Sequence, residues 1–251
     1  MGKRLLLGKN AIITGTARGM GNKMLEVFAE NGANIWACAR SKNEKLEAQA
    51  KELSEKYDVE ITVLYFEMTN LDEMKAAVKQ IMQTKKPVDI LVNNAGITYN
   101  SLYQMSTIEK IHETLEVNFI APYLFTQYIV KLMLRNGHGN IVNVASSAGL
   151  DGNSGRSIYG ASKAAVICST KALAEELGPK GIRANCIAPG ITQTDMLSSM
   201  TQEVIDETVA GTDMKRPGLP LDQANAALFL ASDLSSYITG QTIEISGGLS
   251  M

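Results

Sequence analysis

The sequence predicts an α/β fold: a single domain on a doubly wound parallel sheet of about seven strands, with helices on both faces. Three observations predict it. Short apolar runs alternate with helical-period segments in the order β-α-β-α-β-α-β as far as Val92. A glycine-rich turn joins the first of those runs to the first helix, where such sheets bind ligands. The chain has 251 residues, 45% hydrophobic and 20% charged, which suits one packed α/β unit and argues against disorder.

The same totals weigh against several function classes. A net charge of −2 argues against a dominant nucleic-acid or anionic-membrane partner. Cys38, Cys168 and Cys186 are odd in number and lack metal spacing, so free thiols in a reducing cytoplasm are expected. His112 and His138 cannot supply a His-based metal site of the usual kind, and no metal is expected. No apolar run approaches the ~20 residues of a membrane span. The Met1–Asn10 segment is too short for a signal-peptide core. Met1-Gly2 opens like a myristoylation start, but Leu6 stands where Ser or Thr is needed.

Each element has its own signal. Ala11-Ile12-Ile13 reads as the first strand and ends in Thr14-Gly15-Thr16-Ala17-Arg18-Gly19-Met20-Gly21. Met24, Leu25, Phe28 and Ala29 recur at helical spacing until Asn31-Gly32 stops them. Such a turn brings backbone N–H groups and a helix N-terminus close to a phosphate, so a dinucleotide site is expected here. Residues 34–39 read as a second strand. It ends Cys38-Ala39-Arg40, without the carboxylate that often holds a ribose 2′-hydroxyl. Arg18 and Arg40 together suit a 2′-phosphate, which a guanidinium grips bidentately, so NADP(H) is expected over NAD(H).

Residues 42–56 read as an exposed helix, 61–66 as a third strand, 71–82 as a helix and 88–92 as a buried strand. That strand runs into Asn93-Asn94-Ala95-Gly96, polar amides at the ligand end of the sheet. Asn118 lies in a helical stretch over 108–134, where a solvated face explains it on its own. Residues 139–145 form a fifth strand closed by Ser146-Ser147-Ala148-Gly149, and a loop follows. A long helix over 157–177 carries Ala161, Ala164, Ala165, Ala172 and Ala174, small residues that permit close helix contact within the fold or between subunits. Residues 182–188 form a sixth strand, closed by Pro189-Gly190. The 191–220 stretch breaks the rhythm around a short helix at 202–209 and reads as a substrate lid. A helix over 221–232 and a strand over 242–245 complete the chain.

Within the long helix stands Tyr159-Gly160-Ala161-Ser162-Lys163. A tyrosine and a lysine four apart share one helical face, and a nearby cation lowers a phenol's pKa toward a useful range. Taken alone, this spacing is commonplace. Ser146 lies upstream, and the spacing allows its hydroxyl and the phenol to meet on one carbonyl oxygen. Neither histidine lies near Ser146 in sequence, so serine-nucleophile chemistry has no support.

These motifs, in this order, resemble the short-chain dehydrogenases/reductases over nearly the whole chain. They are Thr14-Gly15 to Gly21, Asn93 to Gly96, Asn118, Ser146, Tyr159 with Lys163, Pro189-Gly190 with Thr194, and Ile238-Thr239-Gly240-Gln241. The resemblance implies a Rossmann-type fold and an NADP-dependent oxidoreductase. It implies that Tyr159 is the general acid/base, that Ser146 bonds the same carbonyl oxygen, that Lys163 lowers the phenol's pKa and binds the nicotinamide ribose, and that Asn118 holds a water of the proton relay. Gly15, Thr16, Arg18, Met20 and Gly21 would cradle the pyrophosphate, and Arg18 and Arg40 would take the 2′-phosphate. Glu67 and Met68 would meet adenine, although Glu67 departs from the family's usual Asp. Asn93 and Ala95 would line the adenine-ribose side, and Pro189, Gly190, Thr192 and Thr194 the nicotinamide side.

Within the family the chain is most similar to 3-oxoacyl-[acyl-carrier-protein] reductases, by residues 93–98, by 189–196 and by the Gly-Gly-x-x-Met ending. That implies reduction of a 3-oxoacyl thioester in fatty acid biosynthesis, in a cytoplasmic homotetramer. Of the basic positions expected at the mouth, Lys180 fits one and Gly137 occupies another. Sugar and polyol reductases share the pattern, and a non-catalytic NADP-binding module remains a reading from another class.

Overall fold

The computed structural model describes residues 4–195, 197 and 201–249. Met1-Gly2, Met196 and the terminal Met251 lie outside the described residues, as do residues 198–200 of the expected lid.

Seven parallel strands stand in the order β3-β2-β1-β4-β5-β6-β7. They are β1 (Asn10–Thr14), β2 (Asn34–Ala39), β3 (Ile61–Tyr65), β4 (Ile90–Asn93), β5 (Gly139–Val144), β6 (Ile182–Pro189) and β7 (Thr242–Ile245). The order reverses between β1 and β4, and at such a switch point the loops at the carboxyl ends diverge and leave a crevice. Strand alternation feeds two cores. Ala11 and Ile13 pack with α1 (Gly19–Glu30) and α8 (Pro220–Ala231) on one face. Ile12 packs on the other with α3 (Leu71–Gln83), α5 (Ala121–Asn136) and the end of α6 (Ser157–Leu177).

Local chemistry sets the helix ends. Asn43 caps α2 (Glu44–Tyr57) by accepting from the Leu46 N–H, and Asn70 caps α3 by accepting from Asp72 and Glu73. The α2 helix is more than a solvated surface: Leu46, Ala50 and Leu53 are buried. The expected helix over 108–134 is α4 (Ile108–Leu115), a π-helical turn (Glu116–Ile120) and α5, run together. By length and composition this continuous helix could cross a membrane. In the fold it lies against the sheet, with Phe125, Ile129 and Met133 fully buried.

The 191–220 excursion contains α7 (Gln202–Ala210) and has a pinned neck. The Gln193 N–H donates to the Gly218 carbonyl at 2.8 Å, and the Gly218 N–H to Ile191 at 2.9 Å. Asp213 and Met214 N–H groups bond Gly248 and Gly247 beyond β7.

Candidate active site

The glycine turn after β1 is built against the end of β4. Gly15 adopts φ +73, and a Cβ there would lie 2.9 Å from Asn94 Nδ2. A Cβ on Gly21 would lie 2.3 Å from the Gly15 carbonyl, so only glycine lets α1 pack this closely. Asn94 Nδ2 donates to the Thr14 and Gly15 carbonyls at 2.9 and 3.3 Å, while Thr14 Oγ1 accepts from the Asn94 and Ala95 N–H groups, both at 3.0 Å. Arg18 gives α1 no side-chain cap, and the first turn of α1 holds no acidic residue. A positive helix end beside a backbone cradle without side-chain bulk fits a dinucleotide pyrophosphate.

Other expected cofactor residues divide by role. Thr16 is buried and donates its hydroxyl to the Cys38 carbonyl at 3.1 Å, so it holds the turn to β2. Met20 packs against the core on the α1 and α8 face, and Met68 lies within the core on the opposite face with Phe66 and Met74. Pro189 ends β6 and Gly190 donates its N–H to Ile245 at 3.1 Å. Thr192 Oγ1 donates to the Gly190 carbonyl at 3.2 Å and accepts from Gln223, and Thr194 donates to the Thr192 carbonyl at 3.4 Å. The methyl of Thr194 lies 3.5 Å from where a Cβ on Gly19 would stand, so this loop reaches back over the glycine turn. Arg18 faces Asp195 at 3.7 Å, and Arg40 faces Glu67 at 3.9 Å.

The two asparagines at the end of β4 part company, because neighbouring strand residues point to opposite faces. Asn94 serves the glycine turn. Asn93 turns beneath the sheet instead, where its Nδ2 donates to Thr126 Oγ1 and Asn143 Oδ1, both at 2.8 Å. Its Nδ2 is thus committed away from the glycine turn, while the side chain lines the cavity between α5 and α6.

Ser146, Tyr159, Lys163 and Asn118 are all buried, the last two against the loop at Gly96. The phenol of Tyr159 and the Ser146 side chain share a hydrogen bond. Burial pushes the phenol's pKa up, against the lowering effects of that bond and of the Arg156 guanidinium. Burial, rather than Lys163, dominates the phenol's shift. Lys163 Nζ lies 5.9 Å from the phenol ring centroid and donates to the Val144 carbonyl at 2.9 Å. Burial lowers its own pKa to about 8, so its charge is itself weakly held.

Asn118 is not solvated. It sits in the π turn with Oδ1 accepting from the Ile97 N–H at 2.8 Å, while Nδ2 donates to the Ile97 carbonyl at 2.9 Å and to Ser162 Oγ at 3.1 Å. A relay water on Asn118 would have to bond beyond these contacts. A Cβ on Gly96 would lie 3.0 Å from Asn118 Oδ1 and 3.4 Å from Lys163 Nζ, so glycine keeps the space between those groups clear. The Ser146 turn docks on α6 through glycines, since a Cβ on Gly160 would lie 2.6 Å from the Ala148 carbonyl.

Three contributors were not singled out from sequence. Asn94 and Ser162 lie inside recognised motifs but carry structural hydrogen bonds of their own, and Arg156 precedes the tyrosine by three residues. Lys180 falls elsewhere than expected. It precedes β6, whereas Ser146 follows β5, and in a parallel sheet those are opposite edges. It therefore does not flank this chain's own mouth. A cavity of about 370 Å³ shares Ala95, Asn118 and Lys163 with the site and runs outward between α5 and α6. Among the described residues no group of three His, Cys, Asp or Glu side chains is placed to hold a metal ion.

Comparison with known proteins agrees with this geometry. Residues 15–250 match a family model described as enoyl-(acyl carrier protein) reductase. A 3-oxoacyl-[acyl-carrier-protein] reductase of Chlamydia trachomatis is 38% identical over 247 residues, 98% of each chain. A 3α-hydroxysteroid dehydrogenase of Mediterraneibacter gnavus is 37% identical, over 97% of each. A crystal structure assigned as an NAD(P)-dependent gluconate 5-dehydrogenase of Beutenbergia cavernae, with bound NADP at low occupancy, superposes with a TM-score of 0.92 at 30% identity over 99% of each chain. With the Ser146, Tyr159 and Lys163 constellation in a crevice of this topology, the chain belongs to the short-chain dehydrogenases/reductases, as an oxidoreductase acting on a CH–OH group.

Proposed function

We propose that the protein reduces a 3-oxoacyl thioester to its 3-hydroxyacyl form with NADPH. The convergence of Ser146 on the buried Tyr159 phenol, with Lys163 beneath and Gly96 leaving space, carries this reading. When bound, the nicotinamide supplies the hydride. Tyr159 then gives its proton to the developing alkoxide, and the Ser146 hydroxyl hydrogen-bonds the same oxygen. Lys163 replaces proton and charge from behind the phenol. Asn118 fixes the Ile97 backbone and, through Ser162, the first turn of α6. NADPH is supported by Arg18, Arg40 and the absence of a carboxylate at the end of β2.

A ketose or keto acid is the second reading, supported by the gluconate dehydrogenase likeness. One screen of NADPH oxidation across acetoacetyl thioesters, an enoyl thioester, keto sugars and simple ketones separates them. Selective turnover of the 3-oxo thioester is expected, and selective turnover of a keto sugar would replace the reading.

The 191–220 segment acts as the lid on its pinned neck. Hydrogen exchange in α7 should slow when both ligands are present, and unchanged exchange counts against a lid. The free thiols, including exposed Cys168, suit a cytoplasmic setting. A homotetramer is supported by the outer face of α5 and α6, where Tyr123 and Leu134 stand exposed, and by the exposed small residues Ala161, Ala164 and Ala172 elsewhere along α6.

A further inference from the structure

Two cations at the carboxyl edge of the sheet, Arg18 in the glycine turn and Arg40 after β2, each face a carboxylate. Arg40, after β2, meets Glu67, after the neighbouring β3. Arg18, opening α1, meets Asp195, which follows β6 on the far side of β4 and β5. The chain therefore crosses back over the carboxyl edge of the sheet to bring Asp195 there, with Thr194 against Gly19. Both guanidinium groups are largely exposed, so each can swing. Glu67 has less freedom. Its Oε1 accepts from the Thr69 N–H at 3.3 Å, and its own N–H donates to Glu73 at 2.7 Å.

We propose that Glu67 and Asp195 are specificity-determining counter-ions: the 2′-phosphate of NADPH takes Arg40 and Arg18 from them, and their negative charge limits how strongly the chain prefers NADPH to NADH. This rests on the NADPH reading above. Exposed ion pairs are weak, whereas a phosphate offers a guanidinium a bidentate partner of higher charge, so the exchange favours the ligand. Glu67 stays tethered after Arg40 leaves and repels the bound phosphate.

The test is a fluorescence titration of NADPH and NADH against wild type, Glu67→Gln, Asp195→Asn and Arg40→Ala, without substrate. The expected result is that Glu67→Gln and Asp195→Asn each tighten NADPH by about two- to fivefold and leave NADH nearly unmoved. Arg40→Ala should narrow the preference. Loss of an adenine contact by Glu67→Gln would weaken both cofactors alike, so the ratio of the two dissociation constants is the readout. A wild type that favours NADPH, with the ratio unchanged in both carboxylate variants, overturns the exchange alone. A wild type that binds both cofactors equally overturns the NADPH reading and the exchange with it.

Discussion

In the proposed reaction Tyr159 gives up its proton from a buried phenol, and the groups around it decide how readily. Burial raises its pKa, while Ser146 and Arg156 oppose that rise. Lys163 is a buried ammonium whose pKa falls to about 8 from 10.5. Between those values the unfolded chain binds more protons than the folded one, so this group's contribution to stability rises with pH across that window. Below pH 8 the buried charge costs stability. Lys163→Met should therefore stabilise the fold by about 1–3 kcal/mol at pH 7, less the cost of orphaning the Val144 carbonyl, and the gain should shrink toward pH 10. Urea unfolding at the two pH values checks this, and a gain that grows with pH contradicts it. Ser146, Tyr159, Lys163 and Asn118 could be singled out in the sequence because their motifs are local. The direction of the Tyr159 shift was not legible there, since burial is a property of the folded chain.

The π turn at Asn118 does at the scale of an element what no spacing rule reports. It places a polar side chain inward, where it pairs with both backbone groups of Ile97. A π turn shifts the helical phase only locally, so the 108–134 stretch still reads as one ordinary helix with a solvated asparagine. Asn118→Leu should leave the Ile97 N–H and C=O unpaired, costing about 1–3 kcal/mol and lowering turnover about tenfold or more. Chemical denaturation and steady-state rates check this, and an unchanged midpoint and rate contradict it. Strand and helix order survived almost residue for residue, as β2, α6 and β7 show. The diverging fates of Asn93 and Asn94 were not apparent, because they depend on where β4 ends and which face each side chain meets.

In the whole molecule, the cavity between α5 and α6 behind Lys163 is lined by Tyr123, Leu134 and Leu173 together with Gln127, Lys131 and Glu176, and it reaches Asn118 at the site. Subunit contact there would bury exposed Leu134 and Tyr123 and close that route to solvent. Leu134→Glu should convert a tetramer to smaller species by light scattering, and a wild type already monomeric at micromolar concentration contradicts the assembly. The central claim is that this chain reduces a carbonyl by proton transfer from Tyr159 as NADPH is oxidised. Its most direct test compares NADPH oxidation with acetoacetyl thioester by wild type and Tyr159→Phe, with NADPH affinity titrated in both. The expected result is a rate loss of about 10²–10⁴-fold at unchanged affinity, and a Tyr159→Phe protein turning over near the wild-type rate would contradict it.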